Sequence, residues 1–198
     1  MTHPPVRVIL IVVLVLILFS GLLVLVVYNP MEKNREKRDE QRTVDLGNLK
    51  KAIDFYITKN AKVNSPLCQG CNLGKDVFVY REIKLAKGNI KVVEQRFVNS
   101  HGWVPVDLSI NAPLFQTPLK ILPVDPLEET LPVRQKVPLL NGFFPKEKED
   151  FVYTYTPGEN GKYKLTAKME SRKGLEKASS DGGSIVDRYE IGELGLAP

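Results

Sequence analysis

The chain has 198 residues, 26% charged and 43% hydrophobic, with a net charge of +5. Outside its most apolar stretch that is enough sequence for one domain with a buried core and too little for two. The basic excess is small, and no stripe of Arg or Lys interleaved with aromatics marks a nucleic-acid surface, so no nucleic-acid partner is expected.

Residues 1–30 are predicted to be a short flank and a transmembrane helix. From Val8 to Tyr28 the chain is Val, Leu, Ile and Phe interrupted only by Ser20 and Gly21, with no charge. About twenty residues at roughly 1.5 Å each give about 30 Å of helix, the thickness of a bilayer's hydrocarbon core. Within lipid a single segment satisfies its backbone hydrogen bonds only as a helix. A cleaved secretory signal calls for a shorter apolar core and a small-x-small site, whereas Tyr28, Asn29, Pro30 and then charge follow here. A buried soluble helix would keep a polar stripe, and this run has none.

Residues 31–60 are predicted to continue as an amphipathic helix. Glu32, Lys33, Arg35, Glu36, Lys37, Arg38, Asp39, Glu40 and Arg42 place opposite charges three and four apart, Asp39 near Arg42 among them, which reads as a solvated helix. Past Val44 an apolar stripe of Leu46, Leu49, Ile53 and Tyr56, flanked by Ala52 and Phe55, requires a partner later in the chain. Pro30 either kinks this rod or sits in the first turn of a new helical segment. The basic flank after the apolar run outweighs Arg7 before it, and by the positive-inside tendency that count favours a cytoplasmic domain.

Residues 61–198 form the predicted sheet domain. Asn60 to Lys75 has loop composition and holds Cys68 and Cys71. Zinc needs about four ligands, and the only histidines are His3 and His101. A redox pair belongs at the start of a helix after a strand, while this pair follows a helix within a Pro and Gly loop. A structural disulfide outside the cytoplasm is the preferred reading.

Asp76 to Phe97 reads as a β-hairpin, with Val77, Val79, Ile83 and Leu85 alternating, Gly88 and Asn89 turning, and Ile90, Val92 and Val93 returning. Eight prolines between Pro105 and Pro145 then exclude long helices and central strands. This stretch is expected to lie over the sheet as ordered loop, anchored by Trp103, Leu108, Leu114, Leu119 and Ile121. A second hairpin pairs Phe151, Tyr153 and Tyr155 with Tyr163, Leu165, Ala167 and Met169 around a turn at Pro157–Gly161. Its alternation predicts one apolar and one wet face, as in an antiparallel sheet covered on one side. After Asp181, Gly182 and Gly183, Ser184 to Ile191 is the expected closing strand. The fold class is α+β.

No catalytic constellation emerges. His101 lacks a Ser or Cys partner at a recognisable spacing. There is no glycine-rich phosphate cradle, no H-E-x-x-H and no G-x-S-x-G, and Glu128 with Glu129 or Glu147 with Glu149 fall in charged loops. Neither an enzymatic activity nor a cofactor is expected.

The order of parts resembles the type IV pilins and the pseudopilins of type II secretion. The similarity is carried by Arg38 to Leu46 with Leu49, Ala52, Ile53 and Tyr56, by Gly102-Trp103-Val-Pro-Val-Asp107, and by Leu122-Pro-Val-Asp125-Pro126. Tyr153-Thr-Tyr155, Tyr163 to Ser171, Asp181-Gly-Gly183 and Tyr189-Glu-Ile-Gly192 continue it. The resemblance implies a long N-terminal helix packed on a C-terminal antiparallel sheet, anchored once in a bacterial cytoplasmic membrane with the sheet domain extracytoplasmic. It implies a structural or assembly role, with the lipid bilayer and other pilin-like subunits or envelope assembly proteins as partners. Some pseudopilins hold calcium near the last strand, and Asp181, Asp187 and Glu190 offer hard oxygen ligands. Asp-Gly-Gly is equally a turn with a capping carboxylate. The sequence lacks the glycine-ended basic leader and the Phe-Thr-Leu-Ile-Glu of prepilins, and no acidic residue precedes Glu32. The resemblance therefore does not extend to leader processing or to filament assembly by charge pairing. The alternative is a membrane-anchored extracytoplasmic binding module that does not polymerise and uses its Pro-rich loops and Trp103.

Overall fold

A computed structural model describes residues 5–60, 67–81, 89–109, 119–129 and 151–194. Helix α1 (Val6–Tyr28) is followed, after one residue, by α2 (Pro30–Asn60). Local chemistry sets the break. Asn29 adopts φ 29°, a region that Asn tolerates better than most residues, and its Oδ1 accepts the Glu32 N–H at 3.2 Å. Pro30, with no N–H to leave unbonded, opens the new helix.

From Leu10 to Phe19 every large apolar side chain of α1 is at least 48% exposed. The side chains at 9 and 22–28 lie outside the described residues, and among those described no helix is long and apolar enough to cross a membrane.

The domain is built on a five-stranded sheet of β1 (Asp76–Val79), β2 (Asn89–Val92), β3 (Thr154–Pro157), β4 (Tyr163–Lys168) and β5 (Arg188–Gly192), in the order β2-β1-β3-β4-β5. One helical turn, α3 (Pro126–Glu129), precedes β3, and α4 (Arg172–Ser179) links β4 to β5. The β3–β4 hairpin forms with Tyr155 opposite Leu165, but β3 opens at Thr154, leaving Phe151 and Tyr153 ahead of it, and Pro157, expected in the turn, is its last residue, opposite Tyr163. Its connection places Asn160 and Gly161 at φ 55° and 75°, which an Asn-Gly pair adopts with little strain.

The first predicted hairpin is corrected. β1 and β2 run parallel, Val77 beside Ile90 and Val79 beside Val92, and β1 pairs antiparallel with β3 on its other side. Period-two alternation marks a strand without fixing its direction, and Asn89, expected in the turn, is the first residue of β2. The sheet is thus mostly antiparallel. Ile83, Leu85 and Gly88 lie outside the described residues.

Phe78, Tyr155, Leu165 and Ile191 are cross-strand neighbours and form one row of the sheet face that receives α2. Into that face α2 sinks Leu46, Leu49 and Ile53, all at 0% exposure, with Tyr56 half-buried at the edge. The Pro-rich chain closes the core with Trp103, Val104, Val106, Leu108 and Leu122. It is pinned by Trp103 N–H to the Gln95 carbonyl at 3.0 Å and Leu122 N–H to the Arg96 carbonyl at 2.8 Å. The Trp103 indole donates to the Pro123 carbonyl at 3.1 Å. Gly102 lies so close to the Phe97 carbonyl and Leu122 that a Cβ would overlap both. Of the other expected anchors, Leu119 is half-buried, Ile121 is exposed, and Leu114 lies outside the described residues.

Three further expectations are revised. The far face of β3 and β4 is not wet: Thr154, Thr156 and Thr166 are buried, with the Thr154 and Thr166 hydroxyls 2.8 Å apart. Met169 lies just past the end of β4, and α4 has no counterpart among the predicted elements. The closing strand begins at Arg188 instead of Ser184, because Asp181 to Asp187 folds as a loop.

Truncating Leu49 to Ala should lower stability by about 2–5 kcal/mol through lost burial and the cavity left behind. Ile121→Ala, at an exposed position, should stay within about 0.5 kcal/mol of the parent. Urea unfolding followed through the fluorescence of Trp103, the single tryptophan, measures both.

Candidate functional site

The most concentrated chemistry lies where α2 meets the end of β4 and the Pro-rich chain. Arg42 is 0% exposed. Its Nε and Nη2 grip Asp125 in a fork at 2.6 and 2.9 Å, and its Nη1 donates to Asp39 and Glu170, each at 2.7 Å. Arg38, one turn earlier, grips Glu170 with a second fork at 2.8 and 2.6 Å. The Phe151 ring lies 5.0 Å from the Arg42 guanidinium.

Three carboxylates face two guanidinium groups, and backbone and hydroxyl donors meet the excess. Asp39 accepts the N–H groups of Glu170 and Ser171 at 3.1 and 2.7 Å and the Ser171 hydroxyl at 2.7 Å. Asp125 accepts the Leu127 N–H at 2.9 Å and so starts α3. The Ser171 hydroxyl also caps α4 by accepting the Gly174 N–H at 2.9 Å. Gly174 lets α4 approach: a Cβ there would overlap the Asp39 carboxylate. Burial opposes charge on Arg42, yet its hydrogen bonds to Asp125 and Glu170 and their negative charges hold its pKa above the usual arginine value. Burial would raise Glu170, but the hydrogen bonds and charges of Arg38 and Arg42 outweigh it and the pKa falls below 4.5.

Two tyrosines extend the polar seam along α2. Tyr153 donates to Asp45 at 2.8 Å and Tyr163 donates to Asp54. Burial, with the facing aspartates, pushes both phenols above the ordinary tyrosine value, so they act as neutral donors.

In sequence Asp39 and Arg42 have the three-residue spacing of a surface pair, which conceals this knot of buried charges. The signal that could have found them is the stripe carried backwards: Arg42 lies four residues before Leu46 and Asp39 seven before it, on the same helical face.

Cys68 and Cys71 are at disulfide-bonding distance in a loop beside the core, Cys68 buried and Cys71 half-buried. Asp181, Asp187 and Glu190 do not converge. Asp181 accepts the Gly183 and Glu190 N–H groups at 2.7 and 2.6 Å. Glu190 accepts the Ile185 N–H at 2.9 Å and lies 3.0 Å from Lys164 Nζ, while Asp187 faces Lys168 at 3.7 Å. These carboxylates pin the loop before β5, and among the described residues no three His, Cys, Asp or Glu side chains are grouped to hold a metal ion. His101 is exposed in a bend, its Nδ1 2.9 Å from the Asn99 carbonyl.

A cleft of about 390 Å³ opens between α2 and the Pro-rich chain, lined by Gln41, Asp45, Asn48, Arg96 and Leu119 among others. Comparison of the chain with protein-family models, with curated proteins and with solved structures finds no match.

Arg42→Ala should destabilise the fold by about 3–5 kcal/mol, because it strands buried carboxylates; Arg42→Lys should recover only part of that, since an ammonium cannot make the fork to Asp125. Acid has a definite sign at Glu170. Its pKa is lower in the folded state than in the unfolded one, so its contribution is complete above about pH 4.5 and is lost as pH falls through the folded value. Asp125, raised by burial against the pull of Arg42, acts in the opposite sense. Urea midpoints measured from pH 7 to pH 3 should fall in the parent, and the fall should be shallower in Glu170→Gln.

Proposed function

We propose that the chain is a non-catalytic, pilin-like or pseudopilin-like structural component of a bacterial envelope filament or secretion system, anchored once in the cytoplasmic membrane by α1. The observation that carries this reading is α1 itself: a 23-residue helix with no charge beyond Arg7, whose described apolar side chains from Leu10 to Phe19 all stand exposed. An apolar surface on every side of a helix needs a cover, and lipid supplies one all round. α2 then carries the anchor into the sheet domain through Leu46, Leu49 and Ile53.

Within the membrane the helix would meet other subunits by close packing, for which Ser20 and Gly21 offer small side chains. The Cys68–Cys71 pair supports an oxidising, extracytoplasmic location, against the basic flank that favours the cytoplasm. The mutual pairing of the buried charges supports a structural role, since such groups hold the fold instead of facing a substrate. The cleft beside α2 favours a second reading, an anchored binding module that does not polymerise.

Fractionation separates the readings. An assembly component should resist alkaline extraction from membranes and appear in sheared fibres with other subunits, whereas a non-polymerising module should stay wholly in the membrane fraction. After reduction, a membrane-impermeant thiol reagent should label Cys68 and Cys71 in cells whose outer envelope alone is permeabilised. Labelling only after the inner membrane is opened would place the domain in the cytoplasm.

A further inference from the structure

We propose that the end of the folded domain nearest α1, formed by the first two turns of α2 and the first turn of α4, is a docking surface for anionic phospholipid headgroups. The inference rests on α1 being the membrane anchor. Glu32 is only four residues beyond Tyr28, and its carboxylate accepts the Arg172 N–H at 2.7 Å. Arg38 holds Glu170, two residues earlier, through its fork. The start of α4 is thereby fixed beside the start of α2. Four residues of helix rise about 6 Å, so the start of α4, bonded to the Glu32 carboxylate, lies about one helical turn along the chain's axis from the end of the apolar helix.

This region carries Lys33, Arg35, Lys37, Arg172 and Lys173 against Glu32 and Glu36. Both carboxylates are engaged, Glu36 by Lys33 at 3.0 Å and Glu32 by Arg35 at 3.5 Å. Among the described residues Lys37, Arg172 and Lys173 form no ion pair, and all three are exposed. Met31, 56% exposed, and Leu175, 38% exposed, add apolar groups suited to the headgroup boundary. A cationic surface tethered this closely to a lipid-embedded helix meets headgroups at a far higher effective concentration than any soluble anion. It gives the basic flank work on either side of the membrane, because anionic lipid attracts juxtamembrane cations by charge alone. Docking would hold the domain upright on the bilayer and fix which face it turns to its neighbours.

The test uses the full chain in vesicles of phosphatidylcholine alone and in vesicles with roughly a third phosphatidylglycerol, labelled by a water-soluble amine reagent and read by mass spectrometry. Each juxtamembrane cation strengthens attraction to an anionic leaflet about fivefold. Labelling of Lys37 and Lys173 should therefore fall about threefold or more in the anionic vesicles. Lys51, exposed on α2 about 21 Å farther along the helix, should label equally in both. Lys173→Glu, which places an acidic residue in a helix's first turn where it is tolerated, should weaken the shielding of Lys37. Equal labelling of Lys37 and Lys173 in the two vesicle types overturns the proposal, as does equal shielding by glycerol phosphate added to neutral vesicles. Unchanged shielding of Lys37 in Lys173→Glu overturns the part given to α4. Flotation with neutral vesicles after an alkaline wash tests the anchor separately: a chain that fails to float removes the anchor and this inference together, and one that floats with unaltered labelling removes the inference alone.

Discussion

The structure depends on how a charged helix is allowed to enter a core. Taking Arg42 out of water is unfavourable by several kcal/mol unless the guanidinium is met on nearly every edge. Asp125, Asp39 and Glu170 meet it with four hydrogen bonds. The three carboxylates come from α2 itself, from the Pro-rich chain and from the second residue after β4. One side chain thus gathers α2, the Pro-rich chain and the end of the β3–β4 hairpin, and Asp39 and Asp125 also order backbone around them.

The apolar stripe and the knot have different tasks. Leu46, Leu49 and Ile53 supply non-directional burial that would tolerate a helix slid by a turn, since another apolar residue would arrive in the same groove. The knot would not tolerate it. Rotating or sliding α2 by one residue carries Arg42 off its fork and leaves buried carboxylates without a cation. Tyr153 on Asp45 and Tyr163 on Asp54 repeat that directional grip farther along the helix. The interface therefore combines area with register, and Gly174 marks where the backbone of α4 must come close to Asp39 for both to be met at once.

Much of this was legible in the chain. The long helical rod, its apolar stripe, the β3–β4 hairpin and its Asn-Gly turn follow from periodicity and local conformational preference. What escaped was whatever depended on partners distant in sequence. Asp39 and Arg42 have the spacing of a surface pair, and only Asp125 and Glu170 convert them into core. The parallel pairing of β1 and β2 is decided by which neighbour each strand finds, because alternation is blind to direction. Thr154 and Thr166 look solvent-facing until their hydroxyls satisfy one another inside the fold. The short helix α4 shows itself in the capping Ser171 more than in its composition, in which Gly174 argues against a helix while close packing demands it.

The sequence span of the knot sets a schedule for biosynthesis. Arg42 is 83 residues from Asp125 and 128 from Glu170, so a ribosome will have delivered the whole hydrophobic rod and most of the domain before the guanidinium has its full set of counter-charges. Before Glu170 is made, Arg42 has at most Asp39 and Asp125 to meet it, and the stripe of Leu46, Leu49 and Ile53 waits for strands later in the chain. A chain halted before Glu170 would lack the last of those counter-charges and, with β5 still to come, the strand that closes the sheet.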